Sequence, residues 1–219
     1  RPLFSPVRGR YEARSYVLHS FRHFYFFAFG DARRAFSNFP MLSCCCPAEE
    51  PEQLAPEPPV ELSAKQKGAS VTLNGRMISG SGSIFADSAL LQDKCYFEAT
   101  VVSCGTFAIG VATRDTDLEG VLTDKVASAW TANNSTPSLA SLQPGDVVGC
   151  AIDQADYPVQ VYYYKGGARI HQVSGIRGEV LPVFSVSNGA SLEVNFGSVD
   201  YAQGIPAGFQ GMIKSKSIL

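Results

Sequence analysis

The sequence predicts an all-β protein, a two-layer antiparallel β-sandwich behind a flexible N-terminal segment. Three observations predict it. From Ala69 onward, apolar residues recur with period two in short runs spaced roughly ten residues apart, and no intervening stretch carries a helical period. Most of the 20 Gly stand between those runs, where turns need them. The 219 residues leave room for one domain of about 150 residues plus appendages, and a domain of that size buries enough surface to fold without disulfides or metal.

Residues 1–40 contain seven Arg and no Lys, against Glu12 and Asp31, and eight of the fourteen Phe. An Arg-rich, acid-poor leader has the composition of an organelle transit peptide. The competing reading is that it precedes a true start at Met41, and the chain after Met41 favours this. There Cys44, Cys45 and Cys46 are adjacent, and residues 47–68 are rich in Pro and Glu with few large apolar residues. Such a segment buries too little to offset its ordering entropy, so 41–68 is expected to be a Cys cluster on a flexible tether before a domain at 69–219.

Within that domain, Val71–Leu73 and Arg76–Ile78 flank Asn74–Gly75, the strongest two-residue hairpin signal. Gly80–Ser83 leads to Ile84–Phe85 and a loop, Asp87–Lys94. Tyr96–Val101 and Phe107–Val111 alternate on either side of Ser103–Gly105, which reads as a second hairpin. Residues 114–145 read as a long polar loop with an Ala-rich piece around Trp130, and so long a loop usually carries function. Asp146–Asp153 is nearly continuously apolar, as in a strand buried on both faces. Val159–Tyr163 alternates and turns at Gly166–Gly167, while Glu179–Val186 and Ser191–Phe196 are expected to pair across Ser187–Gly189.

Several of these words stand in a telling order. CYFEATVV, GTFAIGVAT, the Ser128–Ala129–Trp130 step, PGDVVGCAID and LPVFSVSNGASLEVNFG together resemble the signature strands of the SPRY (B30.2) domain family. The resemblance departs at residues 114–140, which differ from the family's pattern, and at the Lys-Gly-Gly turn where Asn-Gly is common. It implies a SPRY/concanavalin-like sandwich acting as a non-catalytic protein-interaction module, with no cofactor, whose loops at one edge take a protein or peptide ligand. The loop residues that would serve as anchors are Arg76, Arg114, Trp130 and Tyr157, since aromatic and Arg side chains carry most binding energy. Each has a structural alternative. Arg76 and Arg114 can pair with a neighbouring Asp, Trp130 can plug the sandwich, and Tyr157 can be an idle surface Tyr at a hairpin tip.

Other chemistries find less support. Residues 41–219 hold eleven Lys and Arg against eighteen Asp and Glu, so the body lacks the clustered cations of a nucleic-acid groove. His171 has no Ser or Cys nucleophile near it in sequence, and the six Cys lack paired metal-binding spacing. Cys95, Cys104 and Cys150 read as buried reduced thiols of a cytoplasmic protein. No apolar run reaches the length of a membrane-spanning helix. Cys44–Cys46, on their tether, suit S-acylation, by which two chains would hold the domain peripherally at a membrane. The alternative to an adaptor is a structural subunit contacting a larger assembly through its sheet faces.

Overall fold

Two antiparallel sheets account for the strands in a computed structural model of the chain, which describes residues 58–122 and 126–214. Neither contains a helix among the described residues. The first sheet runs in the order β1 (Leu62–Lys67), β4 (Gly82–Ala86), β11 (Val180–Ser187), β6 (Thr106–Thr113), β7 (Ala129–Asn133). The second runs β10 (Ala168–Ile176), β9 (Val159–Lys165), β8 (Val147–Asp153), β5 (Lys94–Ser103), β12 (Ser191–Asn195), β3 (Met77–Gly80), β2 (Val71–Asn74). A two-residue β13 (Gln210–Gly211) lies parallel to β5 at Cys95 and Tyr96.

The Asn74–Gly75 and Gly166–Gly167 hairpins form as the sequence predicts, joining β2 to β3 and β9 to β10. Two other expected pairings do not form. β5 and β6 lie in different sheets, and so do β11 and β12. Ser103–Gly105 and Asn188–Ala190 are arches that carry the chain from one sheet to the other. The two arches are held side by side: the Ser103 hydroxyl donates to the Gly189 carbonyl (2.6 Å) and the Asn188 amide donates to Thr106 Oγ1 (2.9 Å). A Cβ on Gly105 would lie 2.4 Å from the Ala190 nitrogen, so only glycine lets the arches come this close.

Between the sheets lies the main core, where Phe97, Phe184 and Phe196 meet with ring centroids 5.6–5.9 Å apart. Each such buried side chain stabilises by roughly 1.5–3 kcal/mol relative to exposure. The outer faces are covered as well. Phe85, Ala112, Leu181 and Val183 on the outside of the first sheet pack beneath Leu118, Leu122 and Val126. The expected long polar loop at 114–145 thus supplies a cover through Leu118, Leu122 and Val126, and its Ala-rich piece is the edge strand β7, paired with β6. Gly110 makes that pairing possible, since a Cβ there would lie 2.2 Å from the Trp130 carbonyl oxygen.

A strap of residues 197–211 covers the outside of the second sheet at β5. The Tyr201 ring meets the Tyr96 ring edge-on at 5.2 Å. The Glu98 carboxylate accepts from the backbone N–H groups of Ala202 (2.7 Å) and Gln203 (3.0 Å) and from the Tyr96 hydroxyl (2.9 Å). Tyr96 and Glu98 alternate with the inward residues of β5 yet are themselves buried. β8 is buried on both faces, as its apolar run predicts.

Two further expectations are corrected. Cys95 and Cys150 are buried, but Cys104 is exposed because it sits in an arch at the end of the sandwich rather than in a strand. The tether gives way to ordered structure before residue 68: Val60 and Leu62 are buried, and β1 pairs with β4. Cys44–Cys46 and the leader lie outside the described residues.

Candidate functional site

One end of the sandwich gathers four segments: 87–93 (β4 to β5), 154–158 (β8 to β9), 177–179 (β10 to β11) and 211–214, which runs out of the end of β13. Glutamine side chains tie them together. Gln154 Nε2 donates to the carbonyls of Leu90 (3.1 Å) and Gln92 (2.9 Å), and the Gln154 N–H donates to the Asp93 carbonyl (2.7 Å). Gln92 Nε2 donates to the Gly211 carbonyl (3.1 Å), while its Oε1 accepts from the Ile213 N–H (2.7 Å). The Leu90 N–H donates to the Val180 carbonyl (3.0 Å), which joins this loop to the first sheet. Loops cross-linked in this way form a scaffolded surface, as recognition sites require.

The result is a shallow concavity of about 540 Å³, with Leu91, Asp93, Ala155, Gln210 and Ile213 in its lining. Tyr157 stands in the same turn as Ala155, next to the cis Tyr157–Pro158 bond. Tyr157 (75%), Leu91 (66%) and Ile213 (50%) are the three most exposed large apolar side chains among the described residues. Their convergence at one end is the feature that stands out, because isolated exposed apolar residues are ordinary and clustered ones mark contact sites.

The charges here are specific too. Lys94 pairs with Asp153 (3.0 Å), and its ammonium lies 5.7 Å from the Phe209 ring centroid. The hydrogen bond and charge of Asp153 raise the Lys94 pKa, with Asp156 adding to the effect. Asp93 and Asp156 are exposed, and neither forms an ion pair among the described residues.

The sequence candidates do not all meet. Arg114 and Tyr157 are at this end, Arg114 in a loose pair with Glu179 (3.4 Å). Arg76 sits on the β2–β3 turn at the sheet edge and pairs with Glu193 at 2.5 Å, as its structural alternative anticipated with a different acid. Trp130 lies on β7, half-buried against the main core, and lines a separate groove of about 340 Å³ with His171 and Val173 of β10. Leu91 and Ile213 were not singled out from sequence. An apolar residue in a loop becomes a signal only when a second one is seen beside it.

Among the described residues no group of three His, Cys, Asp or Glu is placed to hold a metal ion. His171 stacks obliquely on Tyr163, centroids 5.7 Å apart, inside the sandwich edge. No helix among the described residues is long and apolar enough to cross a membrane.

Comparisons with known proteins place these features. The SPRY domain profile matches residues 94–199. SPRY domain-containing protein 7 of Gallus gallus is 34% identical over 176 residues, covering 74% of this chain and 87% of that protein. The Bos taurus and Homo sapiens proteins of the same name are 34% and 33% identical over the same shares. Among solved structures, the crystal structure of the TRIM65 PSpry domain superposes with a TM-score of 0.46 at 11% identity, covering 63% of this chain and 90% of that one.

Proposed function

The chain belongs to the SPRY domain family, and from that premise we propose that it is a non-catalytic interaction module that takes a peptide segment or protein surface through the loop end built by 87–93, 154–158 and 211–214. SPRY domains serve generally in protein interaction, which gives the coarse function. The observation that carries the finer reading is that Leu91 and Ile213 line one cross-linked concavity, with the exposed Tyr157 in the turn that adjoins it. A few rigid apolar and aromatic anchors in a polar surround are what a small interface needs.

The competing reading, a structural subunit docking through its sheet faces, loses weight over the first sheet and over β5, where the chain itself covers the outer side, and is confined to the outer sides of the flanking strands of the second sheet. A quantitative pull-down with the full chain as bait tests the proposal against a Leu91→Asp/Tyr157→Ala/Ile213→Asp bait of unchanged melting temperature. Partners retained by the variant at full yield overturn it.

The proposal extends to place. Cys44, Cys45 and Cys46 would carry thioester-linked acyl chains that hold an otherwise cytoplasmic domain at a membrane face, since two chains anchor stably where one is marginal. Acyl-exchange labelling after hydroxylamine should disappear in the Cys44→Ser/Cys45→Ser/Cys46→Ser chain, and labelling that persists there refutes this part.

A further inference from the structure

We infer that the loop-end concavity selects a basic peptide segment, one whose large aliphatic or aromatic side chain is flanked by Lys or Arg. The inference rests on the interaction reading above and names the chemistry of its partner. The apolar half of the match is Leu91 and Ile213, both in the lining of the concavity, with Tyr157 in the adjoining turn. These three are exposed, so a side chain seated against them removes water from surfaces that are now wet.

The charged half comes from the ring of carboxylates. Asp93 lines the concavity, Asp153 closes on Lys94, and Asp156 lies near enough to raise the Lys94 pKa. The Lys94 ammonium is engaged by Asp153 and the Phe209 ring, with Asp156 nearby, so it leaves Asp93 unneutralised. Of the other charges at this end, Lys214 is held by Asp87 (2.6 Å), Arg114 by Glu179, and Arg177 lies in the β10–β11 loop, outside the lining. Among the described residues, what remains available beside the apolar anchors is Asp93, in the lining, and Asp156, in the turn of Ala155 and Tyr157. Opposite charge there fixes register and speeds encounter, while like charge is rejected, so an acidic peptide or an anionic bilayer is the wrong partner.

Gln92 and Gln154 matter in a different way. Their side-chain amides are spent on Leu90, Gly211 and Ile213, so they hold the anchors rather than contact the ligand. The concavity is thereby preorganised, which lowers the ordering cost of binding a flexible segment.

Panning an unbiased peptide-display library on the full chain, followed by affinity measurement with the synthetic peptides recovered, tests this. The expected result is enrichment of large apolar residues flanked by Lys or Arg. Leu91→Asp/Ile213→Asp should weaken these peptides by roughly thirtyfold. Asp93→Lys/Asp156→Lys should weaken them about tenfold and, when itself panned, should enrich acidic flanks around the same apolar residues. Both variants are first matched to the wild-type melting temperature. Both changes lie on exposed side chains, which keeps misfolding from imitating the result. Peptides with neutral or acidic flanks that still depend on Leu91 and Ile213 overturn the basic-partner inference and leave the loop-end reading standing. Peptides insensitive to both variants overturn inference and reading together. An empty selection, or a chain that binds phosphatidylserine vesicles through Leu91 and Ile213, overturns the inference outright.

Discussion

Glu98 brings a carboxylate under the strap with no ion pair among the described residues, satisfied instead by two backbone N–H groups and the Tyr96 hydroxyl. Removing it strands those donors. Glu98→Ala should therefore lower unfolding stability by about 2–3 kcal/mol in a urea melt and raise hydrogen exchange across residues 197–211. Burial sets the behaviour of the thiols in a similar way. It pushes the Cys95 thiol up to about 12 and Cys150 well above its ordinary value, so both stay neutral at physiological pH. In native protein at pH 8, peptide mapping after alkylation should find Cys104 modified while Cys95 and Cys150 are protected until unfolding. The same shifts fix the sign of an alkaline effect. These groups ionise more easily in the unfolded chain, so the folded state keeps its full stability below about pH 9 and loses it as pH rises toward about 12, the value to which burial also pushes Tyr201. A melting temperature that stayed flat from pH 9 to 11 would contradict this.

At the scale of elements, the sequence made the hairpins at Asn74–Gly75 and Gly166–Gly167 legible because the turn chemistry permits little else. It misled at Ser103–Gly105 for a physical reason. Alternation reports which face a residue takes, not which strand lies beside it, and a three-residue connection with Gly serves a hairpin or an arch. Only Gly105 packing against Ser187–Ala190 distinguishes the two, and that contact joins segments more than eighty residues apart. β1 escaped notice because Leu62–Lys67 carries one buried apolar residue and no alternation. The arch assignment predicts a contrast. Gly105→Ala should cost about 1–3 kcal/mol, since the added methyl meets three backbone atoms of the Ser187–Ala190 arch, whereas Gly120→Ala, with open space around it, should stay within about 0.5 kcal/mol. Paired thermal melts of the two variants decide the point.

At the scale of the molecule, the scaffold was more legible than the site. Five short words in order implied the family, and Asp156–Tyr157–Pro158 announced an exposed tip, which Tyr157 is. The four sequence candidates nonetheless scatter. Arg76 and Trp130 belong to sheet edges, and only Arg114 and Tyr157 share an end. Leu91 and Ile213 are more than 120 positions apart in sequence and come together only through Gln92 and Gln154, so no local pattern reveals them. The proposed interaction puts the partner at this end of the sandwich. Hydrogen exchange of the full chain, free and saturated with a peptide recovered by panning, tests that placement. New protection should be confined to residues 88–94, 154–158 and 208–213. Protection centred instead on the arches at 103–105 and 187–190, or on the groove beside Trp130, would contradict it.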